Sequence, residues 1–228
     1  MTFGFPPRTA LIGLVGAVLG TDRERLPEDF KIDKTSTAVI PLSPLIKDRL
    51  PQNWRQGPPL IKGNRVSPAK FNESFQANLE VVRRPQFAVV LAHRNVELMN
   101  ELEERLRNKR WFYPPYLGSL GFLADIEFEQ IDEATETVAE DALIDSVLPL
   151  TAELADSVTL HQDNFCIREE GIPLEVLHGR AFKYLATAYV EKTCKPLRVT
   201  AKEGTKPIRY HHLEKTGKNV VFFESCAR

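Results

Sequence analysis

Residues 5–20 read FPPRTALIGLVGAVLG, and the rest of the chain is organised around them. Two prolines open the stretch, Arg8 and Thr9 follow, and the next ten residues carry no charge. Proline is favoured at the start of a helix because its missing N–H would have no intrahelical partner there. Gly20 and the polar run TDRER behind it supply a stop. The stretch therefore predicts a short apolar helix. Gly13, Gly16 and Gly20 recur at spacings of three and four, so they share one side of it. Each costs about 1 kcal/mol against Ala, and the pattern predicts that something approaches the helix backbone closely. The run is too short for a bilayer, which takes about 20 apolar residues. A secretory leader is not expected either, since only Arg8 is basic and no small-x-small cleavage site follows.

With 228 residues and 43% apolar content the chain can bury a substantial core in one large domain or two small ones. Cys166, Cys194 and Cys226 are scattered and form no CxxC pair, which suggests neither a zinc cluster nor a disulfide framework. A reducing cytoplasm is the expected compartment. The net charge of −1 hides an uneven distribution. Residues 43–70 hold six basic residues and one acid, and residues 192–218 hold eight basic residues and two acids. Residues 125–156 hold eleven acids and no Lys or Arg. Two basic segments and one acidic segment predict a nucleic-acid side and a side turned elsewhere, or else plain solvated faces.

Thr37–Leu42 (TAVIPL) reads as a short strand, placed at an edge or an end by Pro41. Ser43–Phe75 is rich in Pro, Gly, Asn and basic residues and has little periodicity, which marks a functional insertion or a mobile loop. Within it Lys47, Arg49, Arg55, Lys62, Arg65 and Lys70 suit phosphates. Trp54 either stacks on an unpaired base or anchors the loop in the core. Gln76–Val82 and Gln86–Ala92 read as strands separated by Arg83-Arg84-Pro85. Asn95 is the expected N-cap of a helix running to Asn108, with Val96, Met99, Leu102 and Leu106 as its buried stripe. Its outward pairs Glu101–Arg105 and Glu103–Arg107 are surface chemistry. Behind it come Lys109-Arg110 and the aromatic run WFYPPY, which includes Tyr116; packing onto the core is expected for these rings, with base stacking as the alternative. Leu123–Ile131 (LADIEFEQI) alternates apolar and acidic residues as a half-exposed strand does.

After Asp132 the pattern turns to short β-rich runs at Ala142–Leu148, Val158–Leu160, Phe165–Arg168, Phe182–Val190, Leu197–Ala201 and Val220–Glu224. They predict a smaller antiparallel sheet in residues 136–228, with Lys192–Lys218 as a lysine-rich hairpin and second candidate RNA or partner surface. In residues 1–135, strand, helix and strand over Gln86–Ile131 form half of a split βαβ unit, and the apolar helix with Thr37–Leu42 forms most of the other. That is the α+β, ferredoxin-like plan.

FPPRTALIGLVGAVLG resembles the signature helix of the Cas-five family of CRISPR-associated proteins, in the RAMP (repeat-associated mysterious protein) superfamily. PPYLGSLGFLADIEF, Pro114–Phe128, resembles that family's PYLG segment leading into a strand. The resemblance implies a ferredoxin-like domain of the RRM/RAMP type carrying an inserted thumb hairpin, here at about 43–75. In the family a strand precedes the signature helix; Met1–Gly4 leaves no room for one, and truncation of the record before Met1 is the expected reason. The implied role is the non-catalytic RNA-binding subunit that caps the 5′ handle of the guide RNA in a type I Cascade complex. Its implied partners are the guide RNA, the repeated backbone subunit and the large subunit, with target DNA met only indirectly through the guide; no cofactor, metal or membrane is implied. A phosphate of the handle would sit at the helix N-terminus on the N–H groups of Arg8, Thr9 and Ala10, and the thumb would bring Lys47, Arg49, Trp54, Arg55, Lys62, Arg65 and Lys70 to the RNA. Arg83, Arg84, Lys109, Arg110, Tyr116, Arg209 and His211 are further candidate RNA or partner contacts.

Some members of that family cut precursor CRISPR RNA without a metal, using a Tyr and an adjacent Lys-His pair. This chain has no Lys-His dipeptide. Its histidines are His93, His161, His178, His211 and His212, and Arg209-Tyr210-His211-His212 is their one cluster. Neighbours along a strand face opposite ways, which is a poor arrangement for paired acid–base work. The phosphate loops GxGxxG and GxxxxGK[ST] and the metal motif HExxH are absent from the sequence. No enzyme is expected; the alternative is a metal-independent endoribonuclease that processes the guide.

Overall fold

A computed structural model describes residues 2–55, 61–62, 65–66, 74–118, 121–177 and 181–226. The architecture is mixed α+β, its ladders antiparallel throughout the described residues. Two compact units make it up: Ile46–Arg84 together with Thr2, and Phe3–Leu45 with Pro85–Arg228.

In the larger unit the apolar stretch forms helix α1 (Arg8–Leu19), with Pro7 at its N-cap in extended conformation. Gly20 ends it at φ 74°, the left-handed turn that favours glycine, and the N–H groups of Gly20 and Thr21 both bond the Gly16 carbonyl. The glycines prove unequal. A Cβ on Gly16 would lie 2.5 Å from Leu26 of the short helix α2 (Leu26–Asp29), and one on Gly20 would lie 2.5 Å from the Phe112 ring. Gly13 has nothing within 4 Å of that position and faces solvent. Close approach therefore explains two of the three.

Strand β1 (Thr35–Pro41) follows, and its ladder partner is β6 (Phe87–His93), in register from Thr35↔His93 to Pro41↔Phe87. Pro41 sits at the end of its strand, as its missing donor requires. Helix α3 (Val96–Arg107) comes next, capped by the Asn95 side chain, which accepts from the Leu98 N–H at 3.2 Å. Leu102 is its buried residue, with Leu98, Met99 and Leu106 half-buried, while Val96 is exposed and leaves the expected stripe. The outward pairs Arg105–Glu101 and Arg107–Glu103 form at 2.9 and 2.7 Å.

Leu123–Ile131 is the clearest departure in this unit. Exposure alternates along it as in a strand, but it joins no sheet; an isolated bridge, Tyr116↔Leu123, is its one β contact. Alternation reports which way side chains point, not whether a neighbour is present to complete a ladder.

Beyond it lie β7 (Ala134–Ala139), β8 (Asp141–Ile144), β9 (Leu148–Leu150), α4 (Ala152–Ser157), β10 (Val158–Leu160), β11 (Cys166–Val176), β12 (Phe182–Glu191), β13 (Leu197–Ala201), β14 (Ile208–Leu213) and β15 (Lys218–Val220). They form three sheets of three, ordered β10–β13–β8, β11–β12–β9 and β15–β14–β7. The expected strand Ala142–Leu148 is thus two strands in different sheets, broken where Ser146 turns its hydroxyl inward to accept the Val221 N–H. The expected strand Val220–Glu224 gives way after Val220 to a 3-10 turn, Phe223–Cys226. Among the described residues, two hydrophobic clusters stand out. Ala38 and Ile40 of β1 pack with Leu213, Val220 and Phe222, covered by Ala88 and Val90 of β6. Ala142, Ile144, Leu148, Leu150, Leu197, Val199, Ile208 and Val221 form the other.

The smaller unit is a long hairpin, β2 (Lys47–Arg55) against β5 (Ser74–Val82), in unbroken register from Lys47↔Val82 to Arg55↔Ser74. A shorter ladder, β3 (Ile61–Lys62) with β4 (Arg65–Val66), follows the first arm. The segment read as an aperiodic insertion is therefore a hairpin, and the strand expected at Gln76–Val82 is its returning arm. In a two-stranded ladder each strand is an edge, which is why Pro51 can sit mid-strand.

Candidate nucleic-acid interface

Charge divides between the two units. Residues 46–84 carry eight Lys and Arg against three Asp and Glu, and the remainder of the chain carries twenty-two against twenty-eight. Within the hairpin, Lys47 pairs with Glu80 at 3.7 Å and Arg83 with Asp48 at 3.2 Å. Glu80 is held below its ordinary pKa first by the Thr2 N–H at 3.1 Å; partial desolvation opposes this, and Lys47 and Arg49 add to it. Lys47 and Arg49 are exposed on β2. Trp54, Arg55, Lys62 and Arg65 are placed on the strands of this unit by their backbone, but their side chains lie outside the described residues, and so does the whole of Lys70. Arg83 and Arg84, both exposed, close the hairpin, and Arg84 turns through a positive φ of 42°.

The second basic run has a different fate. Arg198 pairs with Asp141 at 3.2 Å, Arg209 with Glu136 at 3.0 Å and Lys218 with Asp145 at 2.9 Å. Lys215 donates its Nζ to the Ile131 carbonyl and its N–H to Asp132, and Lys202 donates to the Asp156 carbonyl. The acidic run and the second basic run thus face each other inside one unit. Asp141 is held below the ordinary aspartate range by the Thr200 hydroxyl and then by Arg198.

Arg8 is not a surface group. It is 2% exposed: its Nε donates to Glu224 Oε1, Nη1 to the Leu174 carbonyl at 3.2 Å and Nη2 to the Phe30 carbonyl at 2.7 Å. Glu224, equally buried, also accepts the Thr37 N–H at 2.7 Å and the Thr37 hydroxyl at 2.9 Å. The guanidinium therefore bolts α1 to β1, to β11 and to the C-terminal turn, and it is spent there. Of the three N–H donors expected at the helix start, that of Ala10 already bonds the Pro7 carbonyl at 2.9 Å, which leaves Arg8 and Thr9.

The aromatic run behind α3 lies outward. Phe112 and Tyr113 are 58% and 56% exposed and meet edge to face at 4.8 Å, while Pro115 takes the buried place. The expected packing onto the core is only partial: Trp111 is half-buried and the Phe112 ring lies against Gly20, while the Phe112 and Tyr113 N–H groups bond the Val18 and Ala17 carbonyls and hold the loop across the open end of α1. Tyr116 is 44% exposed. Lys109 and Arg110 beside them pair with Glu127 at 3.7 Å and Glu104 at 2.6 Å.

His211 and His212 diverge. His211 stacks edge to face on Phe222 at 4.8 Å with its Nδ1 buried and unpaired, and burial pulls its pKa below the ordinary value against the pull of Glu136. His212 Nδ1 meets Asn219 Oδ1 at 2.8 Å. His93 lies between the Asp29 carbonyl at 2.8 Å and the Asn95 N–H at 3.0 Å, His161 meets the Thr200 hydroxyl at 3.0 Å, and His178 lies outside the described residues. Among the described residues no group of three His, Cys, Asp or Glu could hold a metal ion, and no helix is long and apolar enough to cross a membrane.

Among the solved structures that resemble this chain is a chain of a CRISPR RNA-guided surveillance complex, 16% identical, with a TM-score of 0.47 over 91% of this chain and 81% of that one. No protein-family model matches the sequence, and no curated protein does. The signals that marked the candidate interface lay in composition. What composition missed was the cancellation of Arg198, Arg209 and Lys218 by acids 57 to 73 residues away.

Proposed function

We propose that this chain is a non-catalytic, RNA-binding subunit of a CRISPR Cascade effector, which holds the 5′ handle of the guide RNA and lays its hairpin unit along the guide. The observation that carries the reading is the partition of charge. The hairpin holds an excess of cations, while Arg198, Arg209 and Lys218 of the second basic run pair with residues of the acidic one. Lys47, Arg49, Arg55, Lys62, Arg65 and Lys70 would take phosphates, Trp54 would stack on a base, and the N–H groups of Arg8 and Thr9 would meet the handle. Phe112, Tyr113 and Tyr116 add exposed rings of the kind that stack on unpaired bases. The order α1, β1, β6, α3, with β1 and β6 antiparallel, supports a ferredoxin-like frame for this role. The backbone and large subunits would be its protein neighbours. The separate engagements of His93, His161, His211 and His212 support a non-catalytic role.

The test is a binding titration of labelled repeat RNA in EDTA, with the full chain alone and with its neighbouring subunits. Binding weakens with salt and leaves the RNA intact. Each phosphate contact on a single strand contributes about 0.7 to the slope of log affinity against log salt, so changing Lys47, Arg49, Lys62 and Arg65 together to Ala lowers that slope by about 2 to 3. An unchanged slope would remove the hairpin from the interface. A discrete cut in EDTA would make the chain a nuclease, with His211 and His212 the first residues to replace.

A further inference from the structure

The extended run after Leu123 poses a question of hydrogen-bond accounting. Among the described residues, the backbone N–H and C=O groups of Asp125 to Gln130 make no hydrogen bond. Six consecutive residues with free donors and acceptors are what an edge strand offers to a partner. Their side chains alternate accordingly: Ala124, Ile126 and Phe128 are half-buried, and Asp125, Glu127 and Glu129 are exposed.

The run is also held in place without its backbone. At its start the Ala124 N–H bonds the Pro115 carbonyl at 2.9 Å. In its middle the Arg107 guanidinium lies 4.1 Å over the Phe128 ring and Lys109 reaches Glu127 at 3.7 Å. At its end Lys215 bonds the Ile131 carbonyl at 2.6 Å, and the Asp132 carboxylate accepts the Lys215 and Thr216 N–H groups at 2.8 and 3.1 Å. A strand anchored at both ends and in its middle has already lost most of the entropy that pairing would cost.

The charges select the occupant. A second copy paired through the same run would set Asp125, Glu127 and Glu129 against one another, and like charges directly opposite are destabilising. A nucleic acid would meet the same three carboxylates. We infer that Asp125–Gln130 is a docking strand that pairs with an extended segment of a partner protein in which apolar residues alternate with Lys or Arg. The inference stands apart from the RNA reading, since it uses none of the hairpin residues.

The test uses the full chain and two short fluorescent peptides, one alternating Val with Lys and the other Val with Glu. Fluorescence anisotropy gives affinity, and hydrogen exchange followed by mass spectrometry locates the contact. Three cross-strand opposite-charge pairs correspond to about a tenfold preference or more for the lysine peptide. Binding also slows exchange of the amides of residues 125–130. Replacing the exposed Asp125 and Glu129 together with Lys, which spares the Glu127–Lys109 pair, leaves the circular dichroism spectrum unchanged and removes the preference. Absence of binding, equal affinity for the two peptides, or protection elsewhere in the chain overturns the proposal, and the carboxylates then serve only to blunt an edge.

Discussion

Replacing Arg8 with Met leaves Glu224 in an apolar interior without its cation. Both side chains are 2% exposed, so water cannot take over from the guanidinium. Removing one partner of a buried ion pair costs about 3–5 kcal/mol, because the charge that remains is uncompensated. The Leu174 and Phe30 carbonyls lose their donors as well, each worth about 1–3 kcal/mol if left dry. Thr37 still donates twice to Glu224 and moderates the loss. For a chain of this size about 1 kcal/mol shifts the melting temperature by about 2–4 °C, so the variant melts on the order of 10 °C lower. Urea denaturation and calorimetry of the full chain measure it. A double variant, Arg8→Met with Glu224→Leu, recovers part of the loss, since it removes the stranded charge but leaves the Thr37 N–H unpaired. RNA binding per folded molecule stays unchanged in Arg8→Met, because the guanidinium touches no surface. A variant that melts normally but binds RNA weakly would refute this reasoning.

The α1 glycines give opposite results in the same assay. Gly20→Ala, at positive φ and against the Phe112 ring, loses about 1–3 kcal/mol, whereas Gly13→Ala, with open space around it, gains about 0.5–1 kcal/mol; equal effects would remove the close-approach argument. Lys109, two residues past α3 at φ 49°, is a left-handed stop without glycine, and Lys109→Gly raises the urea midpoint by an amount worth about 0.5–1 kcal/mol. The Cys166 thiol, pushed up to about 11 by burial and then by Glu191, is alkylated by iodoacetamide far more slowly at pH 8 than an ordinary cysteine, and a rate matching free cysteine would contradict its setting. Asp141, whose folded pKa is depressed by Thr200 and Arg198, contributes stability that is present above the ordinary aspartate range and lost as pH falls through its folded value. The difference in urea midpoint between the native chain and Asp141→Asn therefore shrinks in acid.

Elements with a local cause were readable. Asn95 announced α3 because a cap is chemistry within three residues, and Gly20 announced the end of α1 because a left-handed turn needs almost nothing else. The runs at Leu197–Ala201 and Phe182–Val190 gave strands within a residue of their bounds. Strand propensity alone did not make the long hairpin readable, although the family resemblance implied one. Pro51, Gln52, Asn53 and Asn78 are poor strand formers, and what aligns them is the register of the opposite arm. Leu123–Ile131 failed in the other sense, since it has every local mark of a strand and no neighbour.

The charged residues carry the same lesson to the site. A lone Arg in an apolar helix invites a ligand, yet a buried cation must have a counter-charge. The one it found is 216 residues away. Sequence could require that partner but not name it. The same holds for the second basic run, whose partners lie in the acidic run before it. A basic run therefore marks a nucleic-acid surface only after the pairs the fold makes have been subtracted. That subtraction removes Arg8, Arg198, Arg209 and Lys218, while the hairpin unit, with three acids for its eight cations, keeps an excess that no rearrangement within it could cancel.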